Sequence, residues 1–384
     1  MNITSRNIFS HLFSLSAINL IIGWGGGFYI IKIFFFFLIG FLSLIAIAEK
    51  KRFYLNKLIF ILFVSVLISF IYHYNIFNGE LLSKDAINFL KKILLPVIFG
   101  MFVYNAAIFV KLLIFVKYLK VFMLLSITFI GMQYFNFWSI NLLFFSNEVV
   151  ERVQGGGTYL GISSSAFYMG SQLAIITPII IAYSSKQKVL NIFFILFSFF
   201  SGQRAYFLTR TIDWLKNKIN IKVILLILLI LFPASVYIMF SELSSSIFRG
   251  YDSDRIVIYF AGINYLLENP FGAGGLYQYA QAIELASENN DFLSEYITLI
   301  ALVPAPHNIF INSAVIHGAL FLLPLSYVVY KIYKLDNIFS WGFLFGVFVA
   351  LFHNLSFIYA DFFSWIILAF ALRYKEMKKS NYVK

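Results

Sequence analysis

Apolar residues along this chain come in blocks near twenty residues long, not in alternating or one-sided patterns, and short basic or polar joints separate them. The blocks fall at 8–24, 28–48, 54–73, 86–105, 115–136, 162–183, 189–201, 204–215, 222–240, 308–330, 338–354 and 357–372. A hydrocarbon core of ~30 Å takes roughly 20 apolar residues as a helix, so most blocks predict a membrane span. The blocks at 189–201 and 204–215 are too short to cross upright and flank Ser201-Gly202-Gln203-Arg204. They predict a bent or partly re-entrant pair, which is tolerated where protein buries it. The expected fold is an all-α polytopic membrane protein with about twelve transmembrane helices, two of them short or broken. It forms one integral membrane domain over 1–384, interrupted by a single long polar stretch at 241–306 that predicts a large loop between two spans.

Composition supports this pattern. With 61% hydrophobic and 12% charged residues and a mean hydropathy of +0.86, the chain is too apolar for a soluble domain of its length. It contains no cysteine, which removes disulfide frameworks, thiolate nucleophiles and cysteine metal sites together. The opening run after Arg6 has no small-residue cleavage site before a polar segment, and it is read as a retained first span.

The net charge of +12 does not point to nucleic acid, because the basic residues gather at helix ends. Alternate joints hold Lys50, Lys51 and Arg52; Lys111, Lys117 and Lys120; Lys186 and Lys188; Lys216, Lys218 and Lys222; Lys331 and Lys334; and Arg373, Lys375, Lys378 and Lys379. Short cytoplasmic loops carry such an excess, so both termini are expected in the cytoplasm and the 241–306 loop outside. Lys84, Lys91 and Lys92 depart from the alternation. No repeat or paired set of broken helices is visible, which counts against a transporter. Phenylalanine (48) and tyrosine (24) are abundant, as lipid-facing helices and interfacial belts accommodate.

The residues that lipid does not explain are few. Arg204 lies between two short apolar segments, where an arginine at mid-membrane depth costs about 2.5–3.5 kcal/mol. It either reaches the outer headgroups or forms an anion site, since guanidinium is permanently charged and forks onto phosphate oxygens. Arg255 follows Asp252-Ser253-Asp254, a plausible helix start. In a first turn it would oppose the helix dipole, which leaves a separate task or an ion pair with Asp252 or Glu268 as its reason for being there. Arg249 and Arg152 are further candidates for substrate contact. His307 follows Pro304-Ala305-Pro306 at the mouth of a span and precedes Asn308, a second candidate contact. An imidazole there can accept a proton near neutral pH or assist an anionic leaving group. His73 and His353 also fall at outer helix ends, but no metal-ligand spacing joins them to His307. The glycine clusters at 155–157 and 272–275 lack the lysine and hydroxyl of a nucleotide loop and read as turns.

Taken in order, Ser-Gly-Gln-Arg-Ala (201–205), Asp-Arg-Ile (254–256), Glu-Asn-Pro-Phe-Gly-Ala-Gly (268–274), Pro-His-Asn-Ile-Phe-Ile-Asn (306–312) and His317-Gly318 resemble the O-antigen polymerase and O-antigen ligase superfamily. The resemblance covers about Gly161 to Tyr330, and Gln203 stands where family members often have serine. It implies a GT-C-like, metal-independent inverting glycosyltransferase without a cofactor. The implied donor is an undecaprenyl-diphosphate-linked oligosaccharide used at the periplasmic face of the bacterial inner membrane. By the same resemblance, Arg204 and Arg255 would bind the diphosphate and His307 would serve the acceptor hydroxyl or orient the donor. The expected partners are that lipid-linked glycan, membrane lipid, and a chain-length regulator and flippase of the same pathway, with no nucleic acid. Polymerase is preferred over ligase by likeness of composition and loop size. A lipid-linked oligosaccharide flippase would instead place charges inside several spans.

Overall fold

The structure is a computed structural model and describes residues 2–22, 29–76, 85, 87, 90–135, 166–200, 204–215, 250–287, 308–351 and 361–382. Every regular element among them is helical. In chain order these are α1 (Ile3–Ile21), α2 (Tyr29–Lys50), α3 (Lys57–Ile76), α4 (Leu95–Ala106), α5 (Leu112–Tyr134), α6 (Ala166–Ala182), α7 (Gln187–Phe200) and α8 (Arg204–Leu215). They continue with α9 (Gly250–Glu268), α10 (Leu276–Ser287), α11 (Ile309–His317), α12 (Ala319–Leu335), α13 (Ile338–Ala350) and α14 (Phe362–Tyr382). Among the described residues three stretches, Ile30–Lys50, Lys57–Tyr74 and Leu112–Tyr134, are long and apolar enough to cross a membrane. The chain is a helical membrane protein.

The surface of the bundle explains the composition. Ile30, Phe34, Phe37, Phe41 and Leu44 form an exposed apolar stripe at spacings of three and four along α2, and Val189, Ile192, Phe193 and Leu196 do the same on α7. Such stripes would be a liability in water and are the expected contact with lipid tails. Inward-facing hydroxyls bond within their own helices. Ser14 donates to the Ser10 carbonyl, Ser43 to Ile39, Ser126 to Phe122 and Thr177 to Leu173, so these four hydroxyl protons are not left bare in an apolar interior.

Aromatic packing joins the helices. Phe370 of α14 contacts Phe13, Phe115 and Phe339 at ring separations of 6.0, 4.7 and 5.4 Å. Trp365 lies directly on Gly100, in the space a side chain there would need, which lets α14 press against α4. The shared packing of α1, α5, α13 and α14 buries the largest side chains in one continuous core.

One end of the bundle is basic and tied by charge. Arg6 donates through Nε to the Phe109 carbonyl (3.1 Å) and through Nη2 to Ile108 (3.0 Å), while Arg373 stacks on Tyr104 and Tyr54 at 4.0 and 5.1 Å. Both cations sit where α4 and its terminal turn expose carbonyls, the end of a helix that favours positive charge. Asn105 locks the Lys50–Lys57 joint to the same place by exchanging bonds with the Tyr54 backbone, 2.7 and 3.0 Å.

Several expected boundaries move. The block at 86–105 opens with a π-turn at Leu90–Leu94 before α4, and the last helix runs on through Lys379 to Tyr382. The described part of the polar stretch at 241–306 carries two helices, α9 and α10, and α9 begins at Gly250, ahead of Asp252. Most consequentially, the block at 308–330 is not one helix. It divides into α11 and α12 at Gly318, whose φ of 64° and ψ of −162° lie in a region open essentially to glycine alone.

Gly318→Ala should therefore lower stability by about 1–3 kcal/mol, seen as an earlier thermal unfolding midpoint in detergent. Gly131→Ala, whose added carbon meets nothing within 4 Å, should leave the midpoint level or slightly higher. Equal midpoints for the two variants would remove the assigned strain.

Candidate functional site at the helix break

A helix that stops inside protein leaves carbonyls without partners, and a helix that starts leaves bare amides. At the α11–α12 break both sets are taken up by the loop at 269–275. Ala273 donates to the Val315 carbonyl and Gly274 to Ile316, each at 2.8 Å, while the Ala319 amide donates to the Pro270 carbonyl at 2.9 Å. This exchange requires backbone to lie directly on backbone. A side chain on Gly272 would begin 2.6 Å from the Gly318 amide, and one on Gly318 would run into the Phe271 backbone. Gly272 and Gly274 both carry φ of 80°, the left-handed conformation that glycine adopts without cost. A small apolar cluster of Ala261, Ala273, Tyr279, Ile283 and Val315 seals the seam and joins α9, the loop, α10 and α11. Burial pushes the Tyr279 phenol above its ordinary range, so it remains protonated against Tyr265, 5.1 Å away between ring centres.

The third wall comes from α3. Ser69 Oγ lies 3.3 Å from both Nδ1 and the carbonyl oxygen of His317, and His73 Nδ1 donates to the Ser69 carbonyl at 2.7 Å. His73 Nε2 faces the Gly272 carbonyl at 3.3 Å. Both imidazoles are 2% exposed. Asp85, also buried, accepts from the Gln278 amide at 3.1 Å, and its carboxyl group fills the place of the side chain that Gly275 lacks. The seam thus gathers two histidines, a serine and a carboxylate around a loop held by its backbone. At 1.5 Å per residue, His73 stands about 24 Å along α3 from Lys57 at the basic end. In a core of ~30 Å, an upright α3 with Lys57 at one boundary would bring the seam near the other.

The sequence-derived candidates distribute unevenly over this site. Arg204 is the first residue of α8, and Arg255 lies in the second turn of α9, a helix packed on α11. Because α9 begins at Gly250, Arg255 is beyond the turn where the dipole would oppose it most. The side chains of Arg204 and Arg255, and the whole of His307, Arg249, Arg152 and His353, lie outside the described residues. Asn308 is the N-cap of α11: its Oδ1 accepts from the Phe310 and Ile311 amides at 2.9 and 3.2 Å. The 268–274 and 317–318 motifs meet face to face.

Two further features have little sequence signal. By position His73 offers only a possible metal ligand, whereas in the structure it clasps the loop. Arg210 on α8 is wholly buried, bonded through Nη1 to Asp213 at 2.9 Å and set 5.5 Å from the Phe345 ring. The signal for this pair is an arginine and an aspartate three apart in an apolar segment, the spacing at which a helix pairs opposite charges.

Asn308→Ala should cost about 1 kcal/mol through loss of the cap, and Asn308→Asp should retain it. Thermal unfolding of the two variants measures this, and an aspartate no more stable than alanine would remove the capping role. No protein-family model and no curated protein matches this sequence.

Proposed function

We propose that the chain is an O-antigen polymerase, transferring an undecaprenyl-diphosphate-linked glycan onto another lipid-linked repeat unit at the periplasmic face of the inner membrane. The supporting observation is the seating of the 270–274 loop in the 317–318 break. The two stretches are far apart in sequence and both carry the likeness to the polymerase and ligase superfamily. Their backbones are mutually dependent, as expected of motifs that serve one site. A twelve-span topology with the basic end in the cytoplasm would put this seam, and the lid made of α9 and α10, on the outer side.

In this reading an acceptor hydroxyl attacks the anomeric carbon of the donor. The bond from that carbon to the diphosphate oxygen breaks, and the undecaprenyl diphosphate leaves with the electron pair. Negative charge grows on the leaving group, and guanidinium groups in a water-poor site are suited to stabilise it. Arg204, at the start of α8, and Arg255, on α9, are assigned to that charge, with Arg249, Arg152 and Asn308 as substrate contacts. His307 accepts the hydroxyl proton. Attack opposite the departing diphosphate inverts the anomeric centre, and no step calls on a cofactor.

Alanine in place of Arg204, Arg255 or His307 should abolish long surface polysaccharide in cells while membrane levels of the protein stay normal. Unchanged glycan ladders in all three variants would overturn the site. Deleting the gene should leave lipid A core capped by a single repeat unit. Bare core would instead identify a ligase, and lipid-linked units trapped inside the cell a flippase.

A further inference from the structure

We infer that Asp85 is the N-cap of α10 supplied from elsewhere in the chain, and that it acts as a positioning residue for the lid formed by α9, the 269–275 loop and α10. The observation is a reciprocal fit. α10 begins at Leu276, so its N-cap position is Gly275, which has no side chain with which to cap. An N-cap oxygen normally accepts from the second or third amide of the helix. Here that bond, to the third amide at Gln278, comes from Asp85 Oδ2 at 3.1 Å, 193 residues away.

The missing side chain and the distant carboxylate occupy the same space. The three atoms nearest to a side chain built on Gly275 are Cγ, Oδ2 and Cβ of Asp85, all in direct contact. Gly275 is not one of the positive-φ glycines, unlike Gly272, Gly274 and Gly318. Its backbone therefore accepts any L residue, and Asp85 is what excludes one. The carboxylate is 3% exposed, and the start of a helix, where amides point outward, is a favourable place for buried negative charge.

The anchor matters because of what it joins. On one side of the loop lie α3 and Asp85, with His73 against Gly274 and the Tyr72 and Phe271 rings 5.1 Å apart. On the other side lies the helix break. Tyr265 and Tyr279 couple α10 to α9, so the helix that carries Arg255 follows α10. Removing the carboxylate frees one wall of the seam and lets the lid shift as a unit. The link to catalysis rests on the polymerase reading; the link to lid position does not.

The test exchanges the two residues in the full-length protein in native membranes. Asp85→Gly removes the cap, Gly275→Asp crowds it, and the double variant supplies the carboxylate from position 275 with the space cleared. Lid position is read by oxidative cross-linking of Tyr72→Cys with Phe271→Cys, which has no thiol background because the chain contains no cysteine. Each single exchange should lower the cross-linking yield about fivefold, the scale of a lost N-cap, and the double should recover it. Polysaccharide length, followed in parallel, should fall and recover with it. Undiminished cross-linking in Asp85→Gly, a tolerated Gly275→Asp beside Asp85, or a double variant no better than the singles would each overturn the inference. Recovery of cross-linking with no polymerisation by any version, the unaltered protein included, would remove the polymerase reading and leave the positioning role standing.

Discussion

Backbone hydrogen bonding in a medium without water is the constraint on which this structure depends. Where lipid surrounds the helices, a chain that breaks must find its partners within the protein. The division between α11 and α12 is permitted because the 269–275 loop supplies two amides and one carbonyl to the ends it exposes. Gly272 and Gly318 follow from that exchange, since two backbones cannot come within bonding distance across side chains, and Gly274 leaves the room that the His73 ring takes. The break is thus a joint shared by two distant segments, and neither would hold its conformation alone.

The same requirement governs the charges. Arg6 and Arg373 spend their protons on exposed carbonyls and tyrosine faces at the basic end, and Arg210 pairs with Asp213 inside the bundle. Asp85 is spent on the start of α10. Each of these buried or half-buried ions is matched to a helix end, a ring or an opposite charge, as burial of charge demands. Of the four, only Arg210 carries a local sequence signal, its spacing from Asp213 on one helix; Arg6, Arg373 and Asp85 find their partners in distant segments of the chain.

For the proposed chemistry the important consequence is a lid with fixed contacts on its neighbours. Glycosyl transfer from a diphosphate needs cations fixed in place before charge develops. A lid that was merely a polar loop would not provide that. One built from two helices, sealed by Tyr265, Tyr279 and Ile283 and pinned by His73 and Asp85, has the means to hold Arg255 at a constant position.

By itself the sequence determined the class of the molecule. Block hydropathy identified the helical membrane protein, the short pair at 189–201 and 204–215, and the basic joints, because these depend on local composition and a helix length set by lipid. Hydropathy treats every apolar residue alike, so it joined α11 to α12 across Gly318; in the 241–306 stretch the helix start at Asp252–Asp254 foreshadowed α9, while α10 had no signal. Asn308 was legible as a polar residue at a helix mouth, but its capping bonds were not. The break, the Ser69, His73 and His317 cluster, and the fit of Asp85 to Gly275 were decided only by tertiary structure. Each joins residues separated by far more sequence than any local pattern spans, and each depends on a backbone angle or a contact across the bundle that no composition encodes.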